Sequence, residues 1–395
     1  MKVQNLLVKY HDIFGRHRFD IGLNTEYKVK LTPENDRPVY TTSPPTLVHH
    51  RDELMLELCL MQFYGIITTL NSSKYASPIF AQRKPSGKMR ILIDLRKINH
   101  LLRFDYENNN FPISTLADAG TQLAGKTMFC KMDCSQAYHA IPMADSLSTQ
   151  LLAFNFESRT YAFQRLAQGL ARSVSAFSSF MRKYLDKAII SGKCFQYMDD
   201  IGVAANTEDE LLDNVETVFK CIRASGLKFS INKCFFGLPE IDFLGNTITK
   251  EGMTPQKAKV DKFLSNLKLP RTAKQVKRLA GFLQFFRMFI PNLGKKLLGF
   301  YKMLKKDADF NYDEQTLKDF ETLKEDLKRA CEMNLKLPKP DEQYVILSDA
   351  AFYGAGYVLM IENKSKETGT KIMAPVGFGS KVFNEAQMKM SIFCK

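Results

Sequence analysis

The sequence predicts an α+β fold, on three observations. Short apolar strands and amphipathic helices follow one another without strict βα alternation. At 395 residues the chain can hold two to four packed units rather than one core. Its 45% hydrophobic and 11% aromatic content is that of a globular protein. Trp is absent while Phe reaches 30, so the large core aromatics are phenyl rings. No run of about 18 uncharged apolar residues occurs, which argues against a spanning helix and a membrane partner. Met1 to Tyr10 has neither an apolar run nor a small-residue cleavage site and does not read as a signal peptide.

The elements follow in order. Residues 1–36 end in Thr32-Pro33-Glu34-Asn35-Asp36 and read as a lead-in. Residues 51–65 (RDELMLELCLMQFYG) have the spacing of an amphipathic helix closed by Gly65. Two short strands, from Pro78 and from Met89 to Asp94, flank Lys84-Pro85-Ser86-Gly87-Lys88 as a basic hairpin. Met128 to Asp133 is a further strand, with a turn or short helix at Ser135 to Tyr138. Val174, Phe177, Met181, Leu185 and Ala188 fall on one side of a helix over 173–190. Cys194 to Ala205 reads apolar, polar, apolar: a hairpin with Met198-Asp199 at its turn. A helix from Glu208 to Ala224 is stopped by Gly226. Thr272-Ala273-Lys274-Gln275 has the capping-box form. It opens a helix whose Val276, Leu279, Ala280, Leu283, Phe286 and Ile290 form an apolar stripe before Pro291. Lys277, Arg278 and Arg287 lie on its polar side.

Charge is unevenly spread. The chain carries +14 overall, and 255–306 holds fourteen Lys or Arg against one acid, Asp261. Residues 307–342 reverse the sign, with eleven acids against six bases. A field that concentrated favours a phosphate backbone and salt-sensitive binding; on charge alone, a solvated helix surface explains it equally well. The eight cysteines contain no CxxC pair and no paired His spacing, which argues for reduced thiols rather than a zinc site.

Tyr197-Met198-Asp199-Asp200 carries the most chemistry. Two adjacent carboxylates between apolar strands are costly unless something positive neutralises them. Neighbouring strand residues point to opposite faces, so both can aim at one place only at a turn. Asp133, ending another apolar strand, supplies a third oxygen ligand. Such a set suits one or two Mg²⁺, with Mn²⁺ a substitute, and two-metal chemistry on an in-line displacement at phosphorus. An Asp pair by itself is ordinary turn chemistry; its apolar setting from Phe195 to Ala205 favours the metal reading.

These motifs, in this order and spacing, resemble the polymerase of gypsy-type LTR retrotransposons and, more distantly, of retroviruses. The likeness runs from about Phe14 to the last residue. Ser77-Pro78-Ile79-Phe80-Ala81, Gly87 to Arg96 and Asn99 resemble the fingers. Lys131 to His139 resembles the first catalytic motif, and Tyr197 to Asp200 the catalytic hairpin. Phe163 to Gly169, leading into Ser173 to Phe177, resembles the nucleotide-facing motif. Gly226-Leu227-Lys228, Lys233-Cys234 and Phe243-Leu244-Gly245 are similar to the last palm strands and primer grip. Leu279 to Pro291 resembles the basic thumb.

The resemblance implies a right-hand polymerase, with fingers and palm over 37–250, a helical thumb over 251–306 and a connection over 307–343. A truncated RNase H-like α/β unit follows over 344–395. Asp133, Asp199 and Asp200 are then the metal ligands, with the Cys134 carbonyl adjoining. Lys84 and Arg90 grip the triphosphate. Tyr138 lies under the incoming sugar and excludes a ribose 2′-OH, and Gln168 contacts the nucleotide or template. Tyr197, Met198, Phe243, Leu244 and Gly245 set the primer end, and Lys277 and Arg278 touch backbone phosphates. The implied partners are an RNA template, a DNA primer–template duplex, deoxynucleoside triphosphates and other parts of a Gag-Pol-like polyprotein. The implied setting is cytoplasmic, within virus-like particles.

Three departures qualify the likeness. Gln168-Gly169 stands where many relatives have Phe-Gly, and Val174 where they have Pro, which relaxes entry to the helix. Asp349 matches the first RNase H ligand, but the second, a Glu, is not reached; the expectation is a remnant without RNA cleavage, poorly folded or unpaired, with exposed strands. A decayed nucleic-acid-binding scaffold is the alternative to an active polymerase. A nuclease is disfavoured by Lys84, Arg90 and Tyr138.

Overall fold

Residues 1–115 and 130–237 gather into one unit, and 116–129 and 238–395 into a second. The computed structural model describes residues 2–43, 51–83, 87, 89–102, 116–305, 310–339, 342–364 and 371–389. Both units mix helices with small sheets in which most of the described strand pairs are antiparallel, the α+β character expected of the sequence. The division falls at 237/238, and it assigns the inserted stretch 116–129 to the second unit.

In the first unit, four strands stand in the order Phe235–Leu238, Met128–Asp133, Asp200–Ala205 and Phe195–Tyr197. Phe129, Cys130, Met132, Ile201, Val203 and Ala205 are buried in it, so the sheet carries the apolar load that fixes its register. Helix Glu208–Ser225 packs on strand Asp200–Ala205 and against helix Ser173–Ile190. Its ends follow its sequence: the Thr207 hydroxyl accepts from the Glu210 N–H at 3.2 Å, and three acids occupy the first turn. Gly226 closes it at φ +70°, where an L side chain is strained. In helix Ser173–Ile190, Phe177, Met181, Leu185 and Ala188 are buried as expected, while Val174 is only half-buried.

Helix Arg51–Phe63 buries Leu54, Leu58 and Met61. Strands Ile79–Arg83 and Met89–Ile93 pair antiparallel with Gln82 opposite Arg90, giving the expected basic hairpin. Its Lys84 lies outside the described residues.

The opening 36 residues are no loose lead-in. Tyr10, Ile13, Phe19, Ile21 and Leu31 are buried, Tyr10 and Phe14 pack on Phe219, and the Arg223 guanidinium pairs with Asp12. The segment packs on helix Glu208–Ser225 through an α-helix, Lys2–Lys9, and a 3₁₀ turn, His11–Ile13.

In the second unit, strands Ile241–Phe243, Asn246–Thr249 and Gly252–Pro255 form an antiparallel sheet that leads into helices Lys257–Ser265 and Ala273–Phe285. Thr272 caps the second helix by accepting from the Gln275 N–H at 3.3 Å. The Gln275 side-chain Oε1 accepts from the Arg271 N–H at 2.6 Å, one residue outside the reciprocal box. All six stripe residues are buried, but the α-helix stops at Phe285 and a 3₁₀ turn, Arg287–Phe289, carries the stripe on to Ile290.

Strands Tyr344–Ala351, Gly354–Lys364 and Lys371–Val382 pair in sequence order along their lengths. The expectation of unpaired strands is therefore corrected: antiparallel neighbours satisfy the ladder locally, with one register shift between Leu359 and Met360. The expected exposure is seen on the outer strand, where Ile346 and Leu347 are 65% and 55% exposed on opposite faces.

Candidate active site

Two strand ends bring the carboxylates together. Asp133 ends strand Met128–Asp133, and its sheet neighbour Asp200–Ala205 begins at Asp200, across from Tyr197 in the hairpin. The turn between is Met198-Asp199. Met198 stands at φ +54°, a left-handed conformation that costs a side-chain-bearing residue energy and persists only where neighbours enforce it. Gln196, 8% exposed, donates its side-chain N–H to the Met198 carbonyl and braces the turn. Gly202 lies opposite Phe195, and a Cβ there would stand 1.9 Å from the ring, so only glycine lets the strands close.

The Cys134 N–H donates to the Asp199 carbonyl at 3.3 Å, tying the hairpin turn directly to the residue after Asp133. The Ser230 N–H donates to the Asp133 carbonyl at 2.9 Å, and the Ser135 N–H to the Lys228 carbonyl at 2.8 Å. The chain 228–230 is thus laced along the Asp133 end, and it delivers Lys233, whose Nζ lies 2.9 Å from Asp133 Oδ1. Lys131 Nζ lies 3.4 Å from Asp200 Oδ2. Burial, and then the charges of Asp133 and Asp200, push the Asp199 carboxyl above the usual carboxylate range. Burial pushes the Cys134 thiol well up and Cys234 to about 12, so these are inert packing thiols.

Three clustered oxygen donors are the chemistry a hard divalent cation takes, and mutual repulsion is what such a cation relieves. As they stand, no three acidic, His or Cys groups among the described residues close on a single point. Lysine ammonium groups partner Asp133 and Asp200 instead. The donor chemistry fits a hard divalent cation.

On the same unit, Tyr138 sits in the 3₁₀ turn Ala137–Ala140 and stacks on Phe177, centroids 4.7 Å apart at 21°. Burial, and secondarily the Asp199 charge, raise its phenol pKa. Exposed Arg90 donates to the Gln168 side-chain oxygen, so these two expected residues meet. Asn99 Nδ2 donates to the Gly169 carbonyl at 3.0 Å and its Oδ1 accepts from the Ala171 N–H at 2.8 Å, pinning the loop that carries Gln168. The expected site residues left out Gln196, Lys131, Lys233 and Asn99. Lys131, two before Asp133 on one strand, was accessible from alternation; the others depend on the fold.

In the second unit, Leu244 and Gly245 form a two-residue turn between Phe243 and Asn246, both with positive φ (+48° and +78°). A Cβ on Gly245 would stand 2.6 Å from the Phe285 ring, so this tip is packed tightly. Lys277 and Arg278 are exposed on helix Ala273–Phe285, opposite its buried stripe. Asp349 is exposed on strand Tyr344–Ala351 and lines a cavity of about 270 Å³ with Asn292, Lys295, Ser380 and Lys381.

Residues 82–248 match the family described as reverse transcriptase (RNA-dependent DNA polymerase). The chain is 28% identical to the retrovirus-related Pol polyprotein from transposon 412 of Drosophila melanogaster, over 99% of this chain and 31% of that protein. It is 26% identical to the corresponding polyprotein from transposon 297, over 99% of this chain and 36% of that one. The transposon Tf2-3 polyprotein of Schizosaccharomyces pombe is 25% identical over 93% of this chain and 26% of its own length. The chain thus spans about a third of the curated relatives it matches. In fold it is similar to a foamy viral protease-reverse transcriptase solved with RNA/DNA hybrid, at a TM-score of 0.82 and 22% identity. That match covers 99% of this chain and 51% of that one. The foamy viral enzyme solved with double-stranded DNA matches at the same TM-score, over 99% and 78% of the two chains.

Proposed function

We propose that this chain, which is similar to LTR-retrotransposon Pol polyproteins and matches the reverse transcriptase family over residues 82–248, is an RNA- and DNA-templated DNA polymerase that extends a primer 3′ end with deoxynucleoside triphosphates. The observation that carries the reading is the backbone hydrogen bond from Cys134 to Asp199, which holds three carboxylates from distant parts of the sequence at one corner of a sheet.

In this reading Asp133, Asp199 and Asp200 would hold two Mg²⁺ ions, which would supply Lewis-acid stabilisation of the charge that develops in phosphoryl transfer. The chain's own residues position the rest. Arg90 and Lys84 bind the triphosphate, and Gln168, to which Arg90 donates, contacts the nucleotide or template. Tyr138, held flat by Phe177, forms the floor under the sugar and rejects a 2′-OH by contact. Tyr197 and Met198 are assigned to primer contact, and so are Phe243, Leu244 and Gly245. Lys277 and Arg278 bind backbone phosphates from a thumb over 251–306. Fingers and palm span 37–250, a connection 307–343 and an RNase H-like segment 344–395, where Asp349 has no assigned step here. An RNA template, a primer–template duplex and neighbouring polyprotein segments are the partners, in the cytoplasm and within virus-like particles.

The test is Mg²⁺-dependent extension of a DNA primer on an RNA template. Asp199→Asn lowers the rate by ~10³-fold, since the ions contribute several kcal/mol to the step. Equal extension by both proteins removes the assigned site. Salt-steep binding of template–primer with no extension by the parent chain replaces the enzyme with a scaffold.

A further inference from the structure

We infer that Lys233 and Lys131 are built-in counter-ions that hold the carboxylates in the absence of metal and must leave them when a divalent cation binds. The inference rests on the proposed reading of Asp133, Asp199 and Asp200 as an ion site.

Three carboxylates cannot share a corner in the ionised state without positive charge nearby. Lys233 Nζ lies 2.9 Å from Asp133 Oδ1, and Lys131 Nζ lies 3.4 Å from Asp200 Oδ2. The two lysines reach the site from different directions. Lys131 is two residues before Asp133 on one strand, so both project from the same face beside Asp200 on the neighbouring strand. Lys233 ends the 3₁₀ turn Ile231–Lys233, just beyond the stretch hydrogen-bonded to the Asp133 end. A carboxylate oxygen bonded to an ammonium must give up that bond before it can close on an ion.

Exchange is inexpensive at Lys233. Its side chain is 63% exposed on a flexible stem, so the ammonium can turn into water once an ion takes its place. Each lysine thus competes with metal for one carboxylate. The metal-free site is held together by charge that belongs to the chain, and ion affinity is set below what three bare carboxylates would give.

The experiment uses the full chain without nucleic acid and measures Mn²⁺ binding by the electron paramagnetic resonance of the free ion. Thermal unfolding is recorded in parallel, in EDTA and at saturating Mn²⁺. Lys233→Gln is expected to bind Mn²⁺ about two- to five-fold tighter, the range set by an exposed ion pair. It is also expected to unfold at lower temperature than the parent in EDTA, with the gap closing when Mn²⁺ is added. Lys131→Gln shifts both readouts the same way, and Lys233→Arg, which keeps the charge and the fold, stays near the parent. Asp133→Asn weakens binding and serves as the check that the titrated ion is at this site. Unchanged or weaker Mn²⁺ affinity in Lys233→Gln, with Asp133-dependent binding intact in the parent, overturns the inference alone. Absence of any Asp133-dependent binding in the parent overturns the ion site and the inference with it.

Discussion

Asp199 is held where burial and two neighbouring carboxylates oppose its charge. Its folded pKa stands above the unfolded value, so ionisation disfavours the folded state; the contribution to stability is full below the unfolded carboxylate pKa and is lost as pH rises from there through the raised folded pKa. Asp199→Asn is accordingly expected to raise the unfolding temperature in EDTA while removing activity; a lowered unfolding temperature contradicts the electrostatic account. Gly202 makes the opposite demand. Its α-carbon faces the Phe195 ring, and Gly202→Ala should destabilise by about 1–3 kcal/mol, measured by urea unfolding, because the ring has no room to yield. Of these residues the acids were legible, because paired charges in an apolar setting are conspicuous in a sequence. Gln196, which braces Met198, was not, because one buried amide between apolar residues looks like any other until its partner is placed.

At the scale of elements, the 3₁₀ turn Ala137–Ala140 follows Asp133 closely and carries both Tyr138 and His139. The His139 ring stacks on Phe163, and burial pushes its pKa down to about 4. Above pH ~6.5 the imidazole is neutral whether folded or unfolded and pH is without effect through this group. Below that value the unfolded chain takes a proton that the folded chain refuses, so stability falls as pH drops toward 4. Loss on the order of 2 kcal/mol over that window is expected by denaturant titration, and His139→Gln should flatten it. A parent profile already flat from pH 6.5 to 4 rules this out. The hairpin 194–205, the strand Met128–Asp133 and helix 208–225 were legible because alternation, turn chemistry and capping agreed there. The thumb-like helix was legible in its stripe but not in its break after Phe285, since a 3₁₀ turn keeps apolar residues on nearly the same side. The pairing of Asn99 with the Gly169–Ala171 loop joins segments some seventy residues apart, and no local pattern announces it.

For the whole molecule the long-range field dominates. The exposed bases of 257–278 stand on the second unit, in the stretch where the sequence concentrates its positive charge. Binding of a primer–template duplex should weaken linearly with salt on logarithmic axes, and Lys277→Gln and Arg278→Gln should each reduce the slope by roughly one. Unchanged slopes in both variants place the duplex elsewhere. Charge segregation was legible from composition alone. The division into units was not, because 116–129 joins 238–395 through tertiary packing that leaves no mark on local sequence; Leu337 and Pro338, for example, lie within 3.7 Å of where a Cβ on Gly120 would stand. The convergence of Asp133 with Asp199 and Asp200 can be read directly by replacing Mg²⁺ with Fe²⁺ and mapping where the bound iron, given ascorbate and peroxide, cuts the backbone. Cleavage both beside Asp133 and within Tyr197 to Asp200, suppressed together by excess Mg²⁺, is the predicted pattern. Cuts at one of the two segments without the other, or at neither, would contradict a shared ion site.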